Sequence, residues 1–297
     1  MKHFLITRFN LRVKVWKTAN DGKPVLNDEW MEDRFELFCN FCLPSVVNQS
    51  NQNFIWVVFF DTSTALKYRS KIDEISSDYE NFRPLFIDGI AELRSVLKKY
   101  IESQTTEEDS FVITTRMDND DMIHEKFIQT IHEISSQARE CVIDLRKGYQ
   151  VNIKRRNAEI RNFKRPFNPF VSVKESVHDF ETVIGRMHHD WETFDRVIIE
   201  DEEPLWIELI HRKNKFNRVF INLPLTRTTQ LHKFAPRQQI IPSGPGYIIF
   251  YNVTVFPCLL VFSIAKRVFG INRVDRSFVK THVRRLYRKV RKATGIL

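Results

Sequence analysis

The sequence predicts an α/β fold, and three observations carry that prediction. Short apolar runs without alternation, such as residues 54–60, have the length of strands covered on both faces. Between them, apolar residues recur every three or four positions, the helical period. Strands alternating with helices build a sheet flanked by helices, and ligands of such sheets bind outside the carboxyl ends of the strands. Two of the runs end there in acids, one in Asp61 and one in the cluster at 118–121.

In order along the chain, Phe4-Leu5-Ile6-Thr7 reads as a buried first strand. Leu11, Val13 and Val15 alternate with Arg12, Lys14 and Trp16, a half-buried strand pattern, and Asn20-Asp21-Gly22-Lys23-Pro24 reads as a turn. A helix follows with Phe35, Phe38, Phe41 and Cys42 inward, ending near Pro44. After strand 54–60, Tyr68, Ile72 and Ile75 mark a helix, 84–87 a short strand, and Ile90, Leu93, Leu97 and Ile101 another helix. Phe111-Val112-Ile113-Thr114-Thr115 is the next strand, and the helix after it buries Phe127, Ile128, Ile131 and Ile134. Strand-like Cys141-Val142-Ile143 leads into a looser stretch, 147–174, with eight Lys/Arg and one acid, Glu159. It reads either as a solvated loop or as a basic flap over an anion. Val197-Ile198-Ile199 is a strand, Leu205, Trp206, Leu209 and Ile210 have helical spacing, and 218–221 reads as a late strand.

With 42% hydrophobic and 28% charged residues, the 297-residue chain has the composition of one large globular domain or two small ones. Only eight glycines are present, with neither G-x-G-x-x-G nor G-x-x-x-x-G-K-[ST], which argues against a glycine-rich phosphate cradle. Residues 266–297 hold eleven Lys/Arg against one acid, Asp275, so the net +9 belongs to this tail and the body before it is near neutral. A nucleic-acid grip would place the charge on the body, so nucleic acid is the disfavoured partner. Four cysteines are too few for a disulfide scaffold, and Cys39 and Cys42 in a helical setting read as buried thiols. The opening residues lack a secretory pattern, so the expected compartment is cytoplasmic.

Three carboxylates in the four residues Asp118-Asn119-Asp120-Asp121 repel one another unless a cation or nearby bases offset them. Mg²⁺ and Mn²⁺ prefer oxygen ligands and keep positions for substrate phosphates, so a D-x-D after a buried strand suits a metal joining protein and diphosphate. The plainer alternative is an acid-rich helix N-terminus. The plainer reading of 200–203 is likewise a helix-start acid run, and that of His211 a helix-end histidine. His188-His189-Asp190 lacks the H-x₃-H spacing of zinc sites. Trp191 and Trp206 suit core packing better than a sugar platform.

The residues also resemble a family. Pro44-Ser45-Val46-Val47-Asn48-Gln49, the strand 54–60 and Asp61-Thr62-Ser63 resemble the opening of GT-A glycosyltransferases, and 118–121 their DxDD motif. More narrowly, Thr7-Arg8-Phe9-Asn10, Arg34-Phe35-Glu36, Leu43-Pro44-Ser45, the segment 115–121 and Pro204-Leu205-Trp206-Ile207…His211…Asn214…Asn217 resemble a bacterial rhamnosyltransferase family over about residues 1–222. Arg212 departs from that pattern, standing where a glycine is expected.

The resemblance implies a Rossmann-like mixed sheet flanked by helices and an enzyme that moves a sugar from a nucleotide-sugar to an acceptor hydroxyl. It implies Mn²⁺ or Mg²⁺ on Asp118, Asp120, Asp121 and His211. Asp61 is implied at the base or ribose, with Arg8, Arg116, Asp118 and His188 completing the donor site. Glu200-Asp201 resembles the element that supplies the general base of inverting members. The acceptor would be a saccharide or lipid-linked saccharide of a cell-surface polysaccharide. A Mg²⁺-dependent nucleotidyltransferase and a non-catalytic adaptor are the alternatives.

The catalytic domain is expected over 1–235 and a membrane-associating extension over 236–297. Residues 247–265 are mostly apolar but interrupted, notably by Pro257, and read as a re-entrant or interfacial segment rather than a full span or a buried core element. Beyond them Val279, Val283, Leu286, Val290, Ala293 and Leu297 line one face of a helix whose other face is basic. Residues 247–297 are therefore expected on the anionic inner face of a membrane.

Overall fold

The computed structural model describes residues 1–13, 26–214 and 217–269. Its main sheet is built on β1 (Lys2–Arg8), β2 (Ile55–Asp61), β3 (Phe82–Ile87) and β4 (Phe111–Asp118), with β1 pairing in parallel with both β2 and β4 and β2 with β3. Beyond β4 the antiparallel β9 (Ser172–Ser176) joins β6 (Cys141–Leu145) and β10 (Val197–Glu200), giving the order β10-β6-β9-β4-β1-β2-β3. β1 and β2 are buried on both faces, as their unalternating sequences predict. Helices α1 (Asp28–Leu37), α2 (Leu43–Val47), α3 (Leu66–Asp78), α4 (Leu93–Gln104) and α5 (Phe127–Ser135) supply the flanking layers.

The predicted helix over 35–44 passes through a π-turn, Phe38–Cys42, before α2. Pro44 has no N–H to give the carbonyl of Asn40, and that carbonyl accepts from the Arg237 amide instead, at 2.9 Å. Cys39 and Cys42 lie in this turn, and burial raises both thiol pKa values, as suits inert packing residues.

A smaller sheet has the order β5-β11-β7-β8, from β5 (Met122–Ile123), β7 (Lys147–Asn152), β8 (Glu159–Lys164) and β11 (Trp206–Ile210). It corrects three sequence expectations. The stretch 147–174 holds β7, β8 and the start of β9 rather than a loop or flap. Its strands escape a pattern reading because their buried positions include Gln150, Glu159 and Arg161. Residues 205–210 form no helix: β11 is buried at every position, and such a run carries no period to separate strand from helix. Residues 218–221 form no strand, although the Phe220 amide is held by Gln150 Oε1 at 2.8 Å. The strand expected over 11–16 is absent from its described part, 11–13, and the rest of it and the turn at 20–24 lie outside the described residues.

Trp206 ties the two sheets together. Its indole N–H donates to the Leu145 carbonyl at 2.7 Å, and its ring stacks on Phe170 at 5.0 Å. Gly148 faces it across the β7–β11 register, and a Cβ there would fall 2.3 Å from the indole. Gly148→Ala is therefore expected to destabilise the fold by at least the ~1–3 kcal/mol of an overpacked core. A thermal melt reads this directly, and an unchanged midpoint would show that the sheets separate without strain.

The C-terminal apolar segment is helical: α6 (Pro245–Phe250), a π-turn at Tyr251–Val255 and α7 (Phe256–Phe269). Among the described residues no helix is long and apolar enough to cross a membrane. The basic amphipathic helix expected over 279–297 lies outside the described residues.

Candidate active site

The chain adds β2 and β3 on one side of β1 and then β4 on the other. The order reverses between β1 and β4, and a crevice at such a point is where open α/β sheets bind ligands. Register sets Arg8 opposite Asp118 at the carboxyl ends of these two strands. A cleft of about 690 Å³ opens there.

Arg8 Nη2 donates to Asp118 Oδ1 at 3.3 Å and Arg116 Nη2 to the same oxygen at 3.5 Å. Burial would raise the Asp118 pKa, but Arg116 and Arg8 hold it below the usual carboxylate value. Burial and the neighbouring Arg116 draw the Arg8 pKa down, and Arg116 Nε is buried with no hydrogen-bond partner. Two guanidiniums thus share one carboxylate, which leaves positive charge for an anion.

Asp120 is the most heavily bonded acid of the cluster. Its Oδ2 accepts from Arg34 Nη1 at 2.7 Å, His211 Nε2 at 2.8 Å and Asn214 Nδ2 at 3.3 Å. Burial opposes its charge, yet Arg34 and His211 together pull its pKa well down. The Lys213 amide donates to His211 Nδ1 at 3.2 Å, so the network assigns the ring proton to Nε2. Asn119 donates to the Phe9 carbonyl and accepts from Arg34, fixing the loop between the two acids.

Asp121 is not among the residues lining the cleft and accepts from the Leu209 amide on β11 at 2.9 Å. Burial, then Asp120, Asp118 and Glu208, push its pKa well above normal. It binds the cluster to the second sheet. Neither acid-rich stretch caps a helix: β5 follows 118–121, and β11 follows 200–203.

Glu208 of β11 was not among the sequence candidates. It is only 3% exposed but lines the cleft with Asp118 and Asp120. Gln150 Nε2 donates to its Oε2 at 2.6 Å, and Arg165 Nη1 stands 4.0 Å from Oε1. Burial raises its pKa, Asp120 and Asp118 add to the rise, and Gln150 and Arg165 oppose it. A carboxyl poised this way in a cleft has the properties of a proton acceptor. One sequence signal pointed to it: an acid inside the apolar run Leu205-Trp206-Ile207-Glu208-Leu209-Ile210.

Of the other sequence candidates, His188 lines the cleft, its ring held by the Phe167 carbonyl and its pKa lowered by burial. Asp61 does not line it. Its Oδ1 accepts from Arg12 Nε at 2.8 Å and from the Ser63 amide and hydroxyl, and these bonds overcome burial to hold the carboxyl at about 2. Glu200 and Asp201 are not among the lining residues. Glu200 accepts from the Glu202 amide at 2.7 Å, and Asp201 pairs with Lys164. Trp191 and Trp206 are both core residues.

Asp118, Asp120 and Glu208 bring carboxylate oxygens to the cleft, and His211, bonded to Asp120, is not among the residues lining it. Among the described residues no three His, Cys, Asp or Glu side chains converge as a ready-made cage. A nucleus of one or two protein donors completed by water and phosphate is the usual arrangement for Mg²⁺.

No curated protein matches the chain. Among solved structures, S. aureus TarS residues 1–349 in complex with UDP-GlcNAc is 12% identical, with TM-score 0.47 over 93% of this chain and 77% of that one. The same TarS fragment in complex with UDP is 16% identical, with TM-score 0.42 over 71% of this chain, which spans 61% of that one. A putative nucleotide-diphospho-sugar transferase from Desulfovibrio desulfuricans is 8% identical, with TM-score 0.37 over 72% of this chain and 82% of that one. These overlaps are partial and share few residues, so the assignment rests on a sequence-family match over residues 2–222. That span begins at β1 and takes in Arg8, the acids of 118–121, Glu208 and His211; the chain belongs to the family described as Putative rhamnosyl transferase.

Proposed function

We propose that this glycosyltransferase moves a sugar from a nucleotide-sugar to an acceptor hydroxyl with inversion, using Glu208 as the general base. The carrying observation is the pair of guanidiniums, Arg8 and Arg116, sharing Asp118 Oδ1 beside the Asp120–His211 contact. Uncompensated arginine charge facing a cleft suits the two phosphates of a donor and of its leaving group. Leu11, Val13, Trp30 and Ile90 line an apolar part of the cleft, which suits a flat base. Rhamnose as the sugar is supported by the family description alone.

Mn²⁺ or Mg²⁺ would be held by Asp120 and His211, with Asp118 beside the diphosphate. The ion would supply Lewis-acid stabilisation of the leaving diphosphate. Glu208 takes the acceptor's proton, and its raised pKa makes it a stronger base than an ordinary glutamate. It replaces Asp201 in that role because Asp201 is paired with Lys164 and absent from the cleft lining.

The test is a thermal-shift series of nucleoside diphosphates with and without Mn²⁺, followed by product analysis with the best donor. A ligand that binds only the folded form raises the melting temperature. Glycosyl transfer with release of nucleoside diphosphate supports the reading, whereas nucleotidyl transfer with release of pyrophosphate overturns it. Arg116→Ala is expected to weaken nucleoside diphosphate binding about 10–100-fold, the range for losing a charge-assisted hydrogen bond. Calorimetric titration measures it.

A further inference from the structure

We infer that the C-terminal helical segment is a membrane-docking surface, with an apolar stripe that enters the headgroup region of an anionic bilayer. Polar contacts hold the start of the segment to the body. Tyr247 donates to Glu159 Oε1 at 2.8 Å, and Tyr251 donates to the Ile221 carbonyl at 2.7 Å. Buried Arg161 lies over the Tyr251 ring at 5.4 Å and donates to its hydroxyl. The Asn252 amide closes two hydrogen bonds with the Leu225 backbone, each 2.8 Å. Tyr251 and Val255 pack with Leu225 as a small buried cluster. One face of residues 247–255 is thus clasped to the body.

The opposite face is left bare. Ile249, Val253, Leu260, Val261 and Ile264 are 37–69% exposed. Their spacing places them on one side of the helical segment. A row of apolar side chains on one fixed face marks an interaction site. No Asp, Glu, Lys or Arg occurs from 245 to 265. The sequence then turns sharply basic, with eleven Lys/Arg and one acid over 266–297.

That succession selects the occupant. An apolar stripe followed directly by dense positive charge matches hydrocarbon next to anionic headgroups. A second copy of the chain would bring two such basic segments together and be repelled. Nucleic acid would have no use for the stripe. The length fits too, since no described helix can cross a membrane but an interfacial helix need only lie in its surface. The inference stands apart from the reaction proposed above, because it rests on the face opposite the clasp and on the charge that follows.

The test is flotation of the full-length protein with vesicles of phosphatidylglycerol and phosphatidylcholine, against phosphatidylcholine alone. Wild type is expected to float with the anionic vesicles and to be released by high salt. The double variant Val253→Asp/Val261→Asp is expected to partition at least tenfold less, with an unchanged melting temperature and unchanged nucleoside diphosphate binding. If that variant does not fold, Val253→Ser/Val261→Ser should still lower partitioning severalfold. Equal flotation of a folded variant and wild type overturns the inference. So does a wild type that stays in solution with anionic vesicles, or a lipid-free dimer that the variant converts to monomer.

Discussion

Glu208→Gln is expected to lower turnover about 10²–10⁴-fold, the range for losing a general base, with the donor KM near the wild-type value. Gln150 can still donate to a glutamine oxygen here, so the local bonding survives and only the proton acceptor is lost. Stability separates this from simple damage. The folded-state pKa of Glu208 lies above that of the unfolded chain, so the fold favours the neutral form. The stability this contributes is complete below the unfolded glutamate value and is lost as pH rises through the folded value. Above that folded value the wild type carries a buried charge near Asp118 and Asp120, which glutamine removes. On the alkaline side the variant should melt at or above wild type, and the difference should shrink on acidification. An inactive variant that melts lower would make Glu208 structural.

The same carboxyl sets a pH profile. A base must be ionised to act, so kcat/KM should fall on acidification with a limb above the 4.5 of an ordinary glutamate. Asp118 is one of the charges that raise it, so Asp118→Asn should move the limb of the residual activity downward.

What the sequence made legible follows from burial. β1, β2 and β4 are covered on both faces, so their apolar runs stand out, and the acids that end β2 and β4 mark strand ends without any structure. Arg8, Asp118 and Asp120, which line the cleft, sit where such runs stop. The second sheet was hidden for the converse reason. β7 and β8 bury Gln150, which bonds Glu208 of β11, and Glu159 and Arg161, which bond each other and the tyrosines of the C-terminal segment, and buried polar groups read as loop. β11 has apolar residues at positions that fit a helix as well as a strand, and Glu208 was lost with it. Arg34, two turns into α1, shows another limit: it neutralises Asp120 from 86 residues away. Its motif was visible, but nothing local told which acid it would meet. Asp201 attracted attention because acids cluster at 200–203, yet a nearby lysine satisfies it.

Asp120→Asn should produce the opposite thermodynamic signature to Glu208→Gln. Asp120 is ionised below the usual carboxylate range because Arg34 and His211 outweigh its burial. A depressed pKa means that stability is present above the unfolded aspartate value and lost as pH falls through the folded one. Removing the charge leaves Arg34, 11% exposed, without its ionised partner. Breaking such a buried pair costs about 3–5 kcal/mol, partly offset here because Asp121 and Glu208 lose a like-charged neighbour. The net direction is destabilisation at pH 7, with the gap to wild type closing only in strong acid. Activity should fall about 10²–10³-fold, the scale for one preorganised electrostatic group. The stabilisation of wild type by Mn²⁺ with a nucleoside diphosphate should disappear. Paired melts across pH read both effects: Glu208→Gln loses activity without losing stability, whereas Asp120→Asn loses both. If Asp120→Asn were to keep full activity and its response to Mn²⁺, Asp120 would be a structural anchor for Arg34, and the cation site would have to be sought at other carboxylates.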